Sequence, residues 1–475
     1  MSAASPLKET CELAVIGAGP AGLAAATLAA ELGLATVLFD EQPGPGGQIY
    51  RSIAAPPLRE RAILGADYWH GASLLAPFRA SGADYRPATT VWSVSRGLEI
   101  GVSSGGVARL LQAKHVILAT GALERPFPIA GWTLPGVMTA GAAQILLKSS
   151  GLIAEGKAVL AGTGPLLWLL AAQYLRAGGR IAALLDTTPR ANWRDALPHL
   201  PGFLASPYFA KGRKLLAEVK RRVPVIRDVT ALSAEGDGRL AAVAFRRAGG
   251  REERLAAGLL LLHQGVAPNV NLANSIGCAH AWDEAQLCFT PVVDGWGTSS
   301  VEGVAIAGDG AGIAGAAAAE HRGRLAALAA AVRLGRIAEV RRAREAAPHQ
   351  SALKRAERGR AFLDALYRPA KGFRIPQGEV IVCRCEEVTA RQISETVALG
   401  CSGPNQMKSF LRCGMGPCQG RLCGLTVSEL IAEARGLSPA DVGYYRLRPP
   451  VKPLTLAELA GLPRNPEAVA AVERG

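Results

Sequence analysis

The sequence lacks an apolar run long enough to cross a membrane. The segment LLWLLAAQYL (166–175) has about half the required length, and residues 303–323 contain Asp309 and several turn-forming glycines. The first residues, MSAASPLKETCELAVIG, carry charges where a signal peptide needs an apolar core. We therefore expect a cytoplasmic protein with no transmembrane helix.

Aromatic residues are also scarce, at 5% of the sequence. The net charge of +14 would allow contact with a polyanion, because clustered Lys and Arg displace counterions from phosphates. The basic residues instead form short groups, such as residues 220–222 and 341–342, with the spacing of solvated helix faces. Since few aromatic side chains are available to stack on bases, nucleic-acid binding is not expected. A partner-binding or solvent-facing surface explains the charge.

Cysteine is rare as well, with 9 in 475 residues, so the chain is not built on disulfides. Cys11, Cys278 and Cys288 are isolated, and we expect them to be inert buried thiols. The remaining composition, 49% hydrophobic with 55 glycines, is typical of packed α/β units. The length indicates about three domains.

The most informative segment is ELAVIGAGPAGLAAATLAAELGLATVLFDE (12–41), which predicts a complete βαβ unit. In its G-x-G-x-x-G turn the first glycine permits the tight bend, the second lets the backbone approach a pyrophosphate, and the third lets the helix pack against the strand. The acid that ends the second strand is placed to bind a ribose 2′-OH, with the next acid as the fallback. The predicted dinucleotide contacts are Gly17, Gly19, Pro20, Ala21, Gly22, Asp40 and Glu41.

Three distant segments bear on which dinucleotide is bound. PGPGGQIYR (43–51) is a second glycine turn, VILATGAL (116–123) is a strand running into a turn, and VEGVAIAGDGAGIAG (301–315) is a strand closing on a Gly-Asp pair. With the first unit they resemble the two-dinucleotide-domain flavoproteins of the glutathione-reductase-like superfamily. The resemblance implies FAD in the first unit, with the last aspartate at the ribitol. It adds Gly47, Gln48, Thr120, Gly121, Gly308 and Asp309 to the predicted contacts.

Residues 156–186, GKAVLAGTGPLLWLLAAQYLRAGGRIAALLD, repeat this layout, with Gly162, Gly164 and Asp186 as candidate nucleotide contacts. The third glycine position is Leu167, which pushes the helix from the strand or bends the turn. A working NAD or adenine-nucleotide site and a structural remnant both stay open. Disulfide reduction, common in this architecture, is not expected, because no cysteine pair occurs before residue 278.

Most of the cysteines occur near the C-terminus, in VCRCEEV (382–388) and SFLRCGMGPCQGRLCG (409–424). Thiolates from a C-x-C loop and a glycine-rich loop suit a [2Fe–2S] centre, with tetrahedral zinc as the main alternative. The pattern resembles the small helical module of the bacterioferritin-associated ferredoxin type. The resemblance implies the ligands Cys383, Cys385, Cys418 and Cys423, with Cys413 as an alternate for Cys423.

These motifs predict an α/β fold with two Rossmann-type dinucleotide-binding units and a small C-terminal helical [2Fe–2S] module. The predicted ranges are a discontinuous FAD-binding domain (8–155 and 285–345), an NAD-like domain with a degenerate site (156–284), a linker (346–380), the [2Fe–2S] domain (381–440) and a C-terminal arm (441–475). The linker is predicted to be a helix followed by a Pro/Gly connector.

The motifs GxGPAG, GGQIYR, ATGALERPFP, GDG, CRCEEVT, GMGPCQGRLCG and RPPVKPLTLAELA together resemble the α subunits of heteromeric flavin-dependent amine and imino-acid dehydrogenases. This family includes the D-hydroxyproline dehydrogenase, octopine and nopaline oxidase, hydrogen cyanide synthase and, less closely, sarcosine oxidase types. The resemblance implies an electron-transfer subunit whose partner, a β subunit resembling D-amino-acid oxidase, oxidises a C–N bond. It also implies, in some relatives, an FMN at the subunit interface and a small ferredoxin-like γ subunit.

The family resemblance leaves the electron acceptor open, including one reached by peripheral membrane contact, and another adenine nucleotide could occupy the FAD site. No His, Tyr or Arg constellation for substrate oxidation is evident, and His263 is interpreted as a single structural or surface residue. The catalytic residues are therefore unknown and expected on another chain. A stand-alone NAD(P)H-dependent acceptor reductase and a non-catalytic iron–sulfur scaffold are the alternative functions.

Overall fold

The structure, a computed structural model, describes residues 10–462. Its first sheet has the strand order β3-β2-β1-β6-β5-β4, with β19 beside β6. These strands are β1 (Thr10–Ile16), β2 (Thr36–Phe39), β3 (Asp84–Arg86), β4 (Thr89–Val94), β5 (Glu99–Ser104), β6 (Val107–Leu118) and β19 (Val304–Ile306). Strand β6 pairs antiparallel with β5 at its start and parallel with β1 and β19 at its end. The carboxyl ends of β1, β2, β6 and β19 therefore meet at one edge of the sheet.

The second sheet is parallel, with the order β11-β10-β9-β15-β8. Its strands are β8 (Val137–Thr139), β9 (Lys157–Thr163), β10 (Arg180–Asp186), β11 (Val225–Ile226) and β15 (Leu259–Gln264). Strand β8 lies inside the range predicted for the first domain, but its residues pair with Leu260–Leu262 of β15. The chain thus enters the second unit before residue 156, because a short strand far upstream completes the edge of this sheet.

The remaining strands form small ladders. They are β12 (Val229–Glu235), β13 (Ala242–Arg247) and β14 (Glu252–Ala256); β7 (Ala122–Glu124) with β16 (Val266–Pro268); β17 (His280–Asp283) with β18 (Cys288–Pro291); and β20 (Ile381–Cys383) with β21 (Val388–Thr389). Strands β7 and β16 are the segments in which the chain leaves the first sheet and returns to it. Their antiparallel pairing joins the two segments that connect the first sheet to the second.

The described residues also form nineteen α-helices. They are α1 (Pro20–Glu31), α2 (Arg61–Leu64), α3 (Ala66–Trp69), α4 (Leu75–Ala80), α5 (Ala140–Ser150), α6 (Pro165–Arg176), α7 (Asn192–Ala196), α8 (Leu200–Leu204), α9 (Pro207–Lys220), α10 (Asn271–Ile276), α11 (Ala316–Arg333), α12 (Glu339–Glu357), α13 (Arg360–Leu366), α14 (Lys371–Arg374), α15 (Ala390–Ala398), α16 (Pro404–Leu411), α17 (Gly424–Arg435), α18 (Pro439–Val442) and α19 (Leu456–Ala460). Helices α1 and α11 pack closely, since a Cβ at Gly323 would overlap the Ala21 carbonyl.

The C-terminal module packs around α15 and α17 and docks on the preceding sheets. Trp132 Nε1 donates a hydrogen bond to Ile381 O at 2.8 Å, and Asn271 Nδ2 donates to Gln419 O at 2.9 Å. After the module, the arm returns to the first sheet, where Val451 N donates to Trp92 O at 2.9 Å. Of the predicted ranges, residues 8–9 and 463–475 lie outside the described residues.

Across residues 10–462, no helix combines the length and the apolar character needed to cross a membrane.

Candidate functional site

The first glycine turn has the geometry that its sequence predicts. Gly17 has a φ of +105°, and a Cβ there would overlap the Ala119 carbonyl. A Cβ at Gly22 would overlap the Gly17 carbonyl, so only glycine lets α1 begin this close to β1. The turn therefore presents bare backbone at the carboxyl end of β1, with Gly19, Pro20 and Ala21 opening the helix.

The predicted ribose acid is held against this turn. Asp40 follows β2, is 7% exposed, and accepts hydrogen bonds from Ala18 N at 2.5 Å and Gln42 N at 2.7 Å. Burial raises the pKa of Asp40, and the two N–H donors oppose that shift. The neighbouring acid, Glu41, is exposed and forms an ion pair at 2.5 Å with Lys452 of the arm. Asp40 is thus fixed at the site, while Glu41 contacts the arm.

The other predicted flavin segments meet at the same sheet edge. Gly46 N donates to Ala18 O at 2.8 Å, and a Cβ at Gly47 would lie 2.8 Å from Gly19 Cα. Gln48, in the same turn, is exposed. A Cβ at Gly310 would lie 3.5 Å from Thr120 Oγ1. Glycine backbone lines this edge, and side chains at these positions would fill the space beside it. This open space fits a dinucleotide.

The Gly-Asp pair after β19 is also part of this edge. A Cβ at Gly308 would lie 2.7 Å from the Ala21 side chain, so Gly308 contacts the first helix. Asp309 Oδ1 accepts hydrogen bonds from Ala314 N and Gly315 N, both at 2.9 Å. Thr120 Oγ1 donates to Asn269 O at 3.1 Å and thereby orients the turn at Gly121. The structure brings these predicted residues together, and their contact with a flavin stays a prediction.

A lysine that the sequence analysis did not single out supports the second glycine turn. Lys148 lies on α5, is 1% exposed, and donates to Gln48 O at 3.3 Å, Ile49 O at 3.0 Å and Gln144 Oε1 at 2.9 Å. Burial lowers its pKa to about 7. The helical periodicity of α5 could have indicated this burial, because the buried positions of the helix recur at helical spacing and include this lysine.

The second nucleotide unit contains a polar pair that sequence reasoning missed. His263 is 1% exposed, and its Nδ1 lies 2.6 Å from Glu124 Oε1, so His263 is neither single nor on the surface. A Cβ at Gly164 would lie 3.4 Å from His263 Nε2, which places the ring beside the predicted phosphate turn. A Cβ at Gly162 would overlap the His263 carbonyl. The two partners are 139 positions apart, and no local pattern links them.

The other residues of that unit are accounted for by packing. Leu167, at the third glycine position, is 1% exposed and belongs to the core between α6 and the second sheet. Asp186 Oδ1 accepts a hydrogen bond from Thr188 N at 3.0 Å, and burial raises the pKa of Asp186. Leu167 and Asp186 therefore have structural roles, and nucleotide binding by this unit stays a prediction.

The C-terminal cysteines converge. The Sγ atoms of Cys383, Cys413 and Cys423 lie within 4.8 Å of one another, and all three residues are buried. Cys385 and Cys418 are half-buried and interact with each other. The Cys413 and Cys423 thiols hydrogen-bond Cys383 and lower its pKa to about 2, which favours a thiolate there. The alternate ligand Cys413 is thus as much part of this group as Cys423.

The donor set fits a metal centre held by thiolates. A Cβ at Gly416 would overlap the Cys385 Cβ, so glycine is needed for the two cysteine loops to approach. Soft thiolate ligands select iron–sulfur clusters or zinc. The structure supplies more thiols than the four that a [2Fe–2S] cluster uses, so the choice among them stays a prediction.

The isolated cysteines behave as the sequence predicts. Burial raises the pKa of Cys11 to about 11 and that of Cys288 to about 12, and it also raises the pKa of Cys278. These thiols are protonated near neutral pH and unreactive. Within the described residues, no disulfide links any cysteine.

Comparisons with known proteins cover almost the whole chain. The family model described as pyridine nucleotide-disulphide oxidoreductase matches residues 11–347, and the sarcosine oxidase A3 domain matches residues 377–462. An opine oxidase subunit of Rhizobium meliloti is 50% identical over 99% of this chain and 91% of its own length. Hydrogen cyanide synthase subunit HcnB of Pseudomonas aeruginosa is 31% identical over 94% of this chain and 98% of its own length.

Among solved structures, L-proline dehydrogenase from P. horikoshii has a similar fold. Its TM-score is 0.68 at 18% identity, covering 95% of this chain and 79% of that one. This likeness concerns the fold alone.

Proposed function

The chain belongs to the pyridine nucleotide-disulphide oxidoreductase family and groups with opine oxidase subunits, and on this premise we propose that it is the electron-transfer subunit of a heteromeric flavin-dependent opine oxidase. In this proposal a partner subunit oxidises the C–N bond of an amino, imino or opine acid, of the octopine, nopaline or D-hydroxyproline type. The observation that carries the proposal is the 50% identity, over nearly the full length, to the opine oxidase subunit of Rhizobium meliloti.

The family supports a flavin cofactor, and we propose specifically FAD at the first glycine turn. A bound flavin exchanges electrons in pairs or singly. In this proposal Gly17, Gly19 and Gly22 give bare backbone for the pyrophosphate, and Asp40, which is held by Ala18 N, accepts hydrogen bonds from the ribose. Asp309 is proposed to face the ribitol.

For the C-terminal module we propose a [2Fe–2S] cluster that carries single electrons. Cys383, Cys385, Cys418 and Cys423 are the proposed ligands, with Cys413 as the alternate. The buried triad and the half-buried pair of thiols support this proposal, since the triad lies in one small core, Cys385 packs against that core, and Cys418 interacts with Cys385. Zinc would satisfy the same donors, and analysis for iron and acid-labile sulfide distinguishes the two.

The proposed partners are based on the same relatives. The opine oxidase and hydrogen cyanide synthase relatives are each named as one subunit of an enzyme, which supports a heteromeric assembly for this chain. We propose a β subunit resembling D-amino-acid oxidase, with a small ferredoxin-like γ subunit and an interfacial FMN as further candidates, in the cytoplasm. The substrate site is assigned to the β subunit.

Coexpression with the neighbouring genes, followed by dye-reduction assays, tests this proposal. Octopine, nopaline, D-hydroxyproline and glycine are the substrates to compare. We expect an opine to reduce the dye with the complex and little reaction with the chain alone. Rapid NADH oxidation by the isolated chain would instead support the acceptor reductase. If none of these substrates reduces the flavin, the result would support a non-catalytic iron–sulfur scaffold.

A further inference from the structure

Tyr445, in the arm that follows the cluster module, is buried against the cysteine group. Its side chain is 0% exposed, and its hydroxyl lies 3.9 Å from Cys423 Sγ, within the range of a hydrogen bond to sulfur. The same hydroxyl also interacts with the Cys413 thiol. It therefore faces both cysteines between which the ligand assignment is open.

The glycines of the cysteine loop make room for this ring. A Cβ at Gly414 would lie 2.5 Å from Tyr445 Cζ, and one at Gly420 would lie 2.8 Å from Tyr445 Cδ2. Lys408 Nζ lies 4.9 Å from the ring centroid and donates a hydrogen bond to Arg446 O at 2.9 Å. Since backbone and a cation both contact the ring, the position of its hydroxyl is fixed by packing.

We propose that Tyr445 is a positioning residue for the metal centre, donating a hydrogen bond to a ligand thiolate and thereby raising the reduction potential of the cluster. A ligand cysteine is a thiolate and has no proton to give, so the tyrosine O–H must be the donor. Reduction adds negative charge to the cluster and its sulfurs, and a hydrogen-bond donor stabilises the more negative state. This inference rests on the proposed [2Fe–2S] centre.

The test is an EPR-monitored redox titration of the full-length protein in its complex, comparing wild type with Tyr445→Phe. We expect a lower midpoint potential in the variant, with unchanged iron and sulfide content. Tyr444→Phe is the matched control, because Tyr444 packs on Phe289 with ring centroids 5.3 Å apart. In the part of the chain that the structure describes, Tyr444 has no hydrogen bond to a cysteine. The cluster of the Tyr444→Phe variant should therefore have the midpoint potential of wild type.

An intact cluster with the same potential in Tyr445→Phe and wild type would overturn the inference and leave the proposed function standing. A wild-type protein without iron would overturn the proposed function itself. If Tyr445→Phe fails to hold the cluster, the titration is repeated on wild-type protein that was produced with 3-fluorotyrosine. This replacement keeps the aromatic ring of every tyrosine and makes its hydroxyl a stronger hydrogen-bond donor. The potential should then rise, and an unchanged potential would overturn the inference.

Discussion

At the scale of single residues, the first glycine turn depends on the absence of a Cβ at Gly22. A methyl group there would overlap the Gly17 carbonyl, and such overpacking costs about 1–3 kcal/mol. We predict that Gly22→Ala loses most of its bound FAD and melts at a lower temperature. The measurements are the flavin content per chain and a thermal melt.

Gly44→Ala is the matched control for that variant, since a Cβ at Gly44 would meet nothing within 4 Å. It should retain wild-type flavin content and stability. Full flavin occupancy in Gly22→Ala would show that FAD is not bound at this turn.

Lys148 makes the stability of the protein depend on pH. Its pKa is lowered from 10.5 to about 7 by burial, so between these values the folded state holds fewer protons than the unfolded chain. Stability from this group therefore rises with pH across that window, by up to about 1.4 kcal/mol per pH unit. We predict that Lys148→Met has a shallower rise in melting temperature between pH 7 and pH 10.

The control for Lys148→Met is Lys157→Met, which removes an exposed lysine at the start of β9. Its melting profile should run parallel to that of wild type. If the Lys148→Met profile were parallel as well, the lysine would not be deprotonated in the folded protein.

The residues that sequence reasoning predicted are those whose requirement is local. Gly22 is needed because a Cβ there would overlap the Gly17 carbonyl of the same turn, and the C-x-C loop contains two candidate ligands one residue apart. The pairing of His263 with Glu124 joins two sheets and has no local signature. Tyr445 could not be predicted to contact Cys423 because the fold, rather than the spacing, brings them together.

At the scale of secondary-structure elements, α17 is attached to α14 by a buried ion pair. Arg374 Nη1 lies 2.6 Å from Glu429 Oε1, with side-chain exposures of 14% and 2%. Removing one partner of a buried pair leaves the other charge uncompensated and costs about 3–5 kcal/mol. We predict that Glu429→Ala loosens the C-terminal module, seen as faster proteolysis around residues 375–380 and a lower melting temperature.

A second pair between the same helices provides the control. Lys371 and Glu433 lie 2.8 Å apart, with exposures of 63% and 50%, so the pair is worth less than about 1 kcal/mol. Glu433→Ala should therefore resemble wild type. Equal effects of the two substitutions would mean that Glu429 does not hold the module.

The elements show where sequence patterns stop being sufficient. Strands β1, β2 and β9 and helices α1 and α6 are predictable, since apolar runs flank glycine turns. Strand β8 lies within the range predicted for the first domain but pairs with β15 of the second sheet, because a sequence pattern does not identify a strand's partner. Leu167 in α6 is a core residue, which the third-glycine rule alone does not distinguish from a distorted turn.

At the scale of the whole molecule, the two candidate cofactor sites are joined by contacts rather than by a free linker. Asn271 donates a hydrogen bond to Gln419 in the cysteine loop, and the nearby Asn269 accepts one from Thr120 at the edge of the first sheet, the candidate flavin site. The arm continues from Tyr445 to Lys452, which pairs with Glu41 beside Asp40. A fixed geometry between the sites suits electron transfer between them.

The relay from flavin to cluster is tested most directly in the complex purified anaerobically with its partner. Iron and acid-labile sulfide are measured first, and EPR spectra are recorded before and after an opine is added. We predict about two iron atoms and two sulfide ions per chain, and the signal of a reduced [2Fe–2S] cluster after the opine. A complex that oxidises the opine but contains no iron and no labile sulfide would contradict the relay.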